Sequence, residues 1–228
     1  MTMEVQWSQE VSAKLAGLAV CVGVLNGIRN EKDNDQLRTL KRTVYAEVKA
    51  DYVVEALKND PTVRAYRDFY WRLGIDPTKT RPSGEALMRR VLNGNELPNI
   101  SAAVDAYNLA SMKTIVPISG FDKDYVSSPL QVRFARNSET FTGIGMTVPM
   151  TLDDKLLVLA DPNQILCIYP YRDSDQTKIG MHTRNAMLIG YGTSGVAETR
   201  LREAVETALS FIRQVAGGEA EAVQIFRQ

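Results

Sequence analysis

Histidine is almost missing from this 228-residue chain: His182 stands alone, accompanied by only two cysteines, Cys21 and Cys167. Zinc sites draw on several His and Cys ligands, so neither a zinc finger nor a catalytic zinc centre has its usual donors. No tight Asp/Glu cluster offers magnesium a site, and the sequence calls for no metal and no cofactor. A Ser-His-Asp device would have to use His182, in Gly180-Met181-His182-Thr183, and no G-x-S-x-G elbow is present. A surface or locally hydrogen-bonded histidine is the simpler reading. Both cysteines sit in apolar runs (AVCVGV and ILCIYP) and read as buried reduced thiols. No run approaches the roughly 20 apolar residues that cross a bilayer, and Glu4 and Glu10 stand where a secretory signal wants basic residues. The expectation is a cytoplasmic protein. An excess of one charge is lacking too, with 27 Lys+Arg against 27 Asp+Glu. That excludes a polybasic binder acting through bulk charge, while leaving room for a local basic patch.

What is present is an ordinary globular composition, 44% hydrophobic and 24% charged, in a chain long enough to bury about 70% of its unfolded surface. Residues 18–28 (LAVCVGVLNGI) are apolar and β-branched, the pattern of a strand buried on both faces. Over residues 33–57, Leu37, Leu40, Val44, Val48 and Tyr52 recur at spacings of three and four, predicting a long amphipathic helix. Asp60 and Pro61 suit the cap and first position of a second helix, which Gly74 stops. After an irregular stretch, Ser83 is expected to cap a helix with Leu87, Met88, Val91 and Leu92 inside, Glu85 and Arg89 paired at i,i+4 and Gly94 at its end. Ser101 is expected to cap another through Met112. From Thr114 the runs IVPIS, LQVRFA, TFTGI, KLLVLA, ILCIYP and NAMLIGY read as short strands. Residues 196–216 form a last amphipathic helix, with Leu201, Val205, Leu209, Ile212 and Val215 on one side. With no repeat, low-complexity tract or linker, residues 1–228 read as one domain, helical first and strand-rich second.

Two features invite chemistry. Gly190-Tyr191-Gly192-Thr193-Ser194-Gly195 has G-x-G-x-x-G spacing between a strand and a helix. Only about 33 residues follow, too few for the βαβ series of a dinucleotide fold. A glycine turn into a helix, or a helix start that meets a phosphate, are the remaining readings. On the helix after Ser101, Asp105 and Asn108 are i,i+3 neighbours on one face. They either pin loop backbone or line a cleft and order a substrate or water.

Arg81-Pro82-Ser83 with the following Ala-Leu-x-Arg-Arg helix, Leu97-Pro98, Val104-Asp105-Ala106-Tyr107-Asn108 and Val116-Pro117-Ile118-Ser119-Gly120-Phe121-Asp122 keep a particular order and spacing. Val132-Arg133 and Leu157-Val158-Leu159-Ala160-Asp161 continue it. Together they resemble the B3/B4 domain, the tRNA-associated editing module in the β subunit of phenylalanyl-tRNA synthetase, over roughly residues 60–195. The resemblance implies a mixed α/β (α+β) fold, with a β-sandwich-like core of unusual topology packed by helices. It also implies hydrolysis of the ester of mischarged aminoacyl-tRNA, in a chain without the synthetase's catalytic and anticodon-binding modules. Such an ester is already reactive, so positioning and fixed dipoles suffice without a dedicated nucleophile.

Carried over by position, the resemblance implies catalytic roles for Asp105, Asn108 and Ser119, the last standing where many synthetase domains have a histidine. Its RNA- or substrate-binding set is Arg81, Ser83, Arg89, Arg90, Arg172 and Asp173. Tyr169-Pro170-Tyr171-Arg172-Asp173-Ser174 replaces the family's glycine-rich stretch and its acidic residue for the tyrosine hydroxyl, with Asp173 or Asp175 as the substitute. Residues 60–95 hold seven basic side chains, among them Arg64, Arg67, Arg72 and Lys79, against four acidic ones. They form the candidate RNA-facing surface, or else a solvated face of internal pairs. The expected partner is tRNA through its aminoacylated 3′ end. The alternatives are a non-catalytic RNA-binding module and a binder of amino-acid-like small molecules.

Overall fold

The computed structural model describes residues 3–228. In chain order come β1 (Val5–Trp7), α1 (Gln9–Lys14), β2 (Ala19–Asn26), α2 (Asp35–Asp51), α3 (Pro61–Arg72), α4 (Ser83–Leu92) and α5 (Ala102–Thr114). The strand-rich half has β3 (Ile118–Asp122), β4 (Leu130–Phe134), β5 (Thr140–Phe141), β6 (Met150–Thr151), β7 (Leu157–Ala160), β8 (Ile165–Ile168), β9 (Arg172–Asp173) and β10 (Ala186–Gly192). The chain closes with α6 (Glu198–Ala216), β11 (Glu219–Ala220) and β12 (Gln224–Arg227).

Alternating side chains set the layers. Along β2, Val20, Val22 and Val24 enter one core while Cys21 and Leu25 enter another; along β10, Met187, Ile189 and Tyr191 oppose Ala186 and Leu188. The sheet they belong to runs β11-β2-β10-β3, with β12 also pairing to β2, and is antiparallel throughout. One face packs on the other sheet, ordered β1-β4-β7-β8-β9, through Leu130, Val132, Leu157, Leu159 and Leu166. The opposite face packs on α5 and α6, and α2 packs in turn on those helices. The result is the mixed α/β sandwich expected, sheet on sheet on helices, with the short β5–β6 hairpin covering a third apolar cluster around Val158 and Ile168. Within the β1-containing sheet only the β1–β4 pair is parallel.

Glycines permit the closest approach of α6. A Cβ on Gly190 would lie 2.7 Å from a Val205 methyl, and one on Gly192 would lie 2.8 Å from Leu201. The G-x-G-x-x-G stretch is thus a packing surface that leads into a helix, and the β11 and β12 strands after α6 pair antiparallel with β2.

Three local expectations are corrected. Ser83 does not cap α4: it is the first helical residue, Pro82 holds the cap position with extended backbone, and no side chain bonds the exposed N–H groups. Helix α2 ends at Asp51 rather than near Leu57, because Tyr52 turns to extended backbone and a short 3-10 turn takes Leu57–Asn59. Ser101 holds the cap position of α5, yet its hydroxyl accepts from the Asn30 amide at 3.1 Å, and it is Asn30 Oδ1 that receives the Ala103 N–H at 3.0 Å. Asp60 does cap α3, accepting from the N–H groups of Thr62 and Val63.

Candidate functional site

Asn30 fixes the start of α5, and Asp105 fixes its first turn. One Asp105 oxygen accepts the Ile100 N–H at 3.0 Å and the other meets the Lys41 ammonium at 2.5 Å. The carboxylate is buried and joins α5 to α2 and to the preceding loop, which is a holding role. One turn further on, Asn108 is half-buried and makes no hydrogen bond to the described residues. Its amide keeps both N–H donors and its carbonyl acceptor available on a helix that its neighbours have locked.

Tyr107, between them, rests on β3. Gly120 leaves the space: a Cβ there would stand 2.6 Å from the Tyr107 ring. Since neighbouring strand residues point to opposite faces, Ser119 turns the other way, into the space between the sheets. There its hydroxyl donates to Asp173 at 2.6 Å and accepts from the Tyr191 hydroxyl at 2.9 Å. Tyr191 and the Cys167 sulfur lie 3.1 Å apart. The Tyr191 proton is given to Ser119, so the thiol is the donor in that contact. Four side chains from β8, β10, β3 and β9 therefore make one relay, each group donating toward Asp173. It ends where the outermost strands of the two sheets, β3 and β9, come together.

Burial dominates the electrostatics of this relay. It pushes the Asp173 carboxyl up to about 7, against the lowering effect of the Ser119 hydrogen bond. It also raises Cys167 and Tyr191, so both remain protonated donors at neutral pH. Around Asp173, its carbonyl accepts the Ile144 N–H from the β5–β6 hairpin loop, and the exposed Arg172 lays its stem against Gly143.

The basic segment is largely committed inward. Glu85, fully buried, takes two bonds from Arg67 at 2.8 and 2.5 Å and one from Arg89 at 2.6 Å. Burial opposes its charge, but the two guanidiniums prevail and hold the carboxyl below its usual range. Arg90 donates to the Glu96 carbonyl, and Arg72 to Thr193 and Ser194. Arg81 is exposed. Gly84, three residues on, lies flat against Ile115, where a Cβ would come within 2.7 Å of the carbonyl carbon. The Arg81-Pro82-Ser83 turn therefore sits at the C-terminal end of α5, two turns beyond Asn108.

The structure thus joins Ser119 to Asp173 and leaves Asp105 in a separate ion pair on the α2 side. Asn108 lies on the helix side of β3, across that strand from Ser119. Sequence reasoning passed over Tyr191 and Cys167, whose alternation with neighbours in NAMLIGY and ILCIYP marked them as inward-facing, though nothing in sequence shows that the two runs oppose each other. His182 is exposed. Among the described residues no three His, Cys, Asp or Glu side chains gather as metal ligands, and no helix is long and apolar enough to cross a membrane.

The sequence profile of the B3/4 domain matches residues 65–217. Two curated relatives are phenylalanine–tRNA ligase β subunits. That of Haemophilus ducreyi is 26% identical over 148 residues, 55% of this chain and 18% of its own length. That of Methylococcus capsulatus is 27% identical over 170 residues, 64% of this chain and 21% of its own length. The chain therefore spans about a fifth of the relatives it matches. An N-terminal fragment of the phenylalanyl-tRNA synthetase β subunit from Pyrococcus horikoshii has a similar fold, with TM-score 0.51 and 13% identity over 96% of this chain and 50% of that one.

Proposed function

The chain belongs to the B3/4 domain family, and from that premise we propose that it binds tRNA and hydrolyses the ester of mischarged aminoacyl-tRNA, acting in trans. The observation that supports this most is the Ser119–Asp173 hydrogen bond. It unites two residues 54 positions apart at 2.6 Å: Ser119, at the family's histidine position, and Asp173, in the segment that replaces the family's tyrosine-binding stretch. Asp173, with a carboxyl near 7, exchanges a proton at physiological pH and faces a polar group of the bound amino acid. From the other side of the edge strand β3, Asn108 offers its amide N–H to the developing oxyanion or orients the attacking water, and Asp105 positions α5 beneath it. Arg81, at the end of α5, meets the phosphate of the terminal nucleotide.

A second reading, an RNA-binding module without hydrolysis, is favoured by one observation. Asp105 and Ser119 are already held by protein partners, which leaves Asn108 alone of the three catalytic candidates with an uncommitted polar group. The deciding experiment incubates the protein with a panel of mischarged tRNAs and measures free amino acid. Release from at least one of them above the spontaneous rate is expected. Tight tRNA binding with no release from any establishes the second reading instead.

A further inference from the structure

The solvent face of α3 carries features that neither the buried relay nor the Arg81 turn uses. Trp71 is 56% exposed, an unusual position for the largest side chain. Between α3 and the turn at Ser194-Gly195 lies a hollow of about 440 Å³, whose lining includes Asn59, Arg64, Asp68, Arg72, Ser194 and Gly195 but not Trp71. Arg64 and Arg72 are eight residues apart, two helical turns or about 12 Å along the axis, so one guanidinium stands near each end. Arg72 is held in place, donating to Thr193 Oγ1 at 2.9 Å and Ser194 Oγ at 3.1 Å, with its charge 5.4 Å from the centre of the Phe69 ring. Arg64 is exposed and has no carboxylate within ion-pair distance among the described residues. Gly195, at φ +89°, passes so close that a Cβ would lie 3.1 Å from that of Ala65. Its main chain thereby forms a wall that a larger residue would fill.

Given the tRNA-binding reading above, we propose that this face is a docking surface for the RNA backbone, separate from the site that receives the aminoacyl ester. Two guanidiniums at the ends of a polar hollow suit phosphates about two nucleotides apart on one strand. An exposed indole one turn from Asp68 and two from Arg64 suits a stacked base, the usual pairing of cation and aromatic in single-strand recognition. Two cations against the single carboxylate of Asp68 give the hollow a positive balance. Asp68 is the carboxylate within the lining, while Asp60 is engaged in capping α3, and this fixes the sign of the Asp68 test.

Uncharged tRNA is the probe, because it carries no ester and so leaves recognition of the amino acid out of the measurement. Its affinity is measured for the full chain from low to moderate salt. Arg64→Gln is expected to weaken binding about five- to tenfold and to lower the salt slope by about 0.7–0.9, the value of one phosphate contact. Trp71→Ala is expected to weaken it about tenfold with the slope unchanged. Asp68→Asn is expected to tighten it two- to fivefold, a change that damage to the fold would not produce. Wild-type affinity and slope in both Arg64→Gln and Asp68→Asn overturn the docking surface while the tRNA-binding reading stands. A wild-type chain that binds no tRNA overturns both.

Discussion

Glu85 is fully buried and Asp173 is half-buried, and their surroundings drive the two carboxyls in opposite directions. Glu85 has two guanidiniums and stays ionised; Asp173 has a hydroxyl and is pushed up to about 7. For Asp173 the unfolded chain loses its proton near pH 4 while the folded chain keeps it until about 7. The folded state therefore binds more protons across that window, and stability falls as pH rises from about 4 to 7, then levels off. Asp173→Asn still accepts from Ser119 but cannot ionise, so it should lack this decline. Melting temperatures across pH 4–8 check it: the wild type should lose up to about 4 kcal/mol relative to the variant, and parallel curves would refute the assignment. Glu85→Ala strands Arg67 and Arg89, whose side chains are partly solvated, so denaturant unfolding should show a loss of about 2–4 kcal/mol.

Among the elements, the contact of α6 with β2 and β10 is closed by glycine. Gly190→Ala places a methyl 2.7 Å from Val205 and should cost about 1–3 kcal/mol through overpacking. Val205→Ala in the same chain should recover part of that loss, read as a non-additive cycle in thermal or denaturant unfolding. Helix and strand identities were legible because burial follows the chain's own periodicity: Leu37, Leu40, Val44 and Val48 along α2, and Val20 through Leu25 along β2. The helix starts were less so. Ser83 looks like a cap in sequence, and the true cap of α5 comes from Asn30, 73 positions from Ala103. A contact at that separation leaves no trace in local pattern.

At the scale of the molecule, α3 ties the layers together, with Phe69 and Tyr70 in the core between the sheets and Val63 and Tyr66 in the core beneath the helices. Residues 1–228 are accordingly expected to unfold in one cooperative transition; two separate calorimetric peaks would contradict a single domain. The resemblance singled out Ser119 by position and left Asp173 and Asp175 as alternatives, between which the Ser119 contact chooses Asp173; Tyr191 and Cys167 belong to strands whose juxtaposition only the topology reveals. Asp105 and Asn108, equivalent in sequence as i,i+3 neighbours, separate in the structure into a paired carboxylate and an uncommitted amide.

That separation makes Asn108→Ala the most direct test of hydrolysis at this site. Single-turnover release of amino acid and melting temperature are measured on one preparation, with the best substrate of the mischarged panel. Loss of one preorganised donor predicts a fall in rate of about 10²-fold or more, with stability reduced by no more than about 1 kcal/mol. Normal hydrolysis per folded molecule, with or without a large drop in melting temperature, would contradict the account.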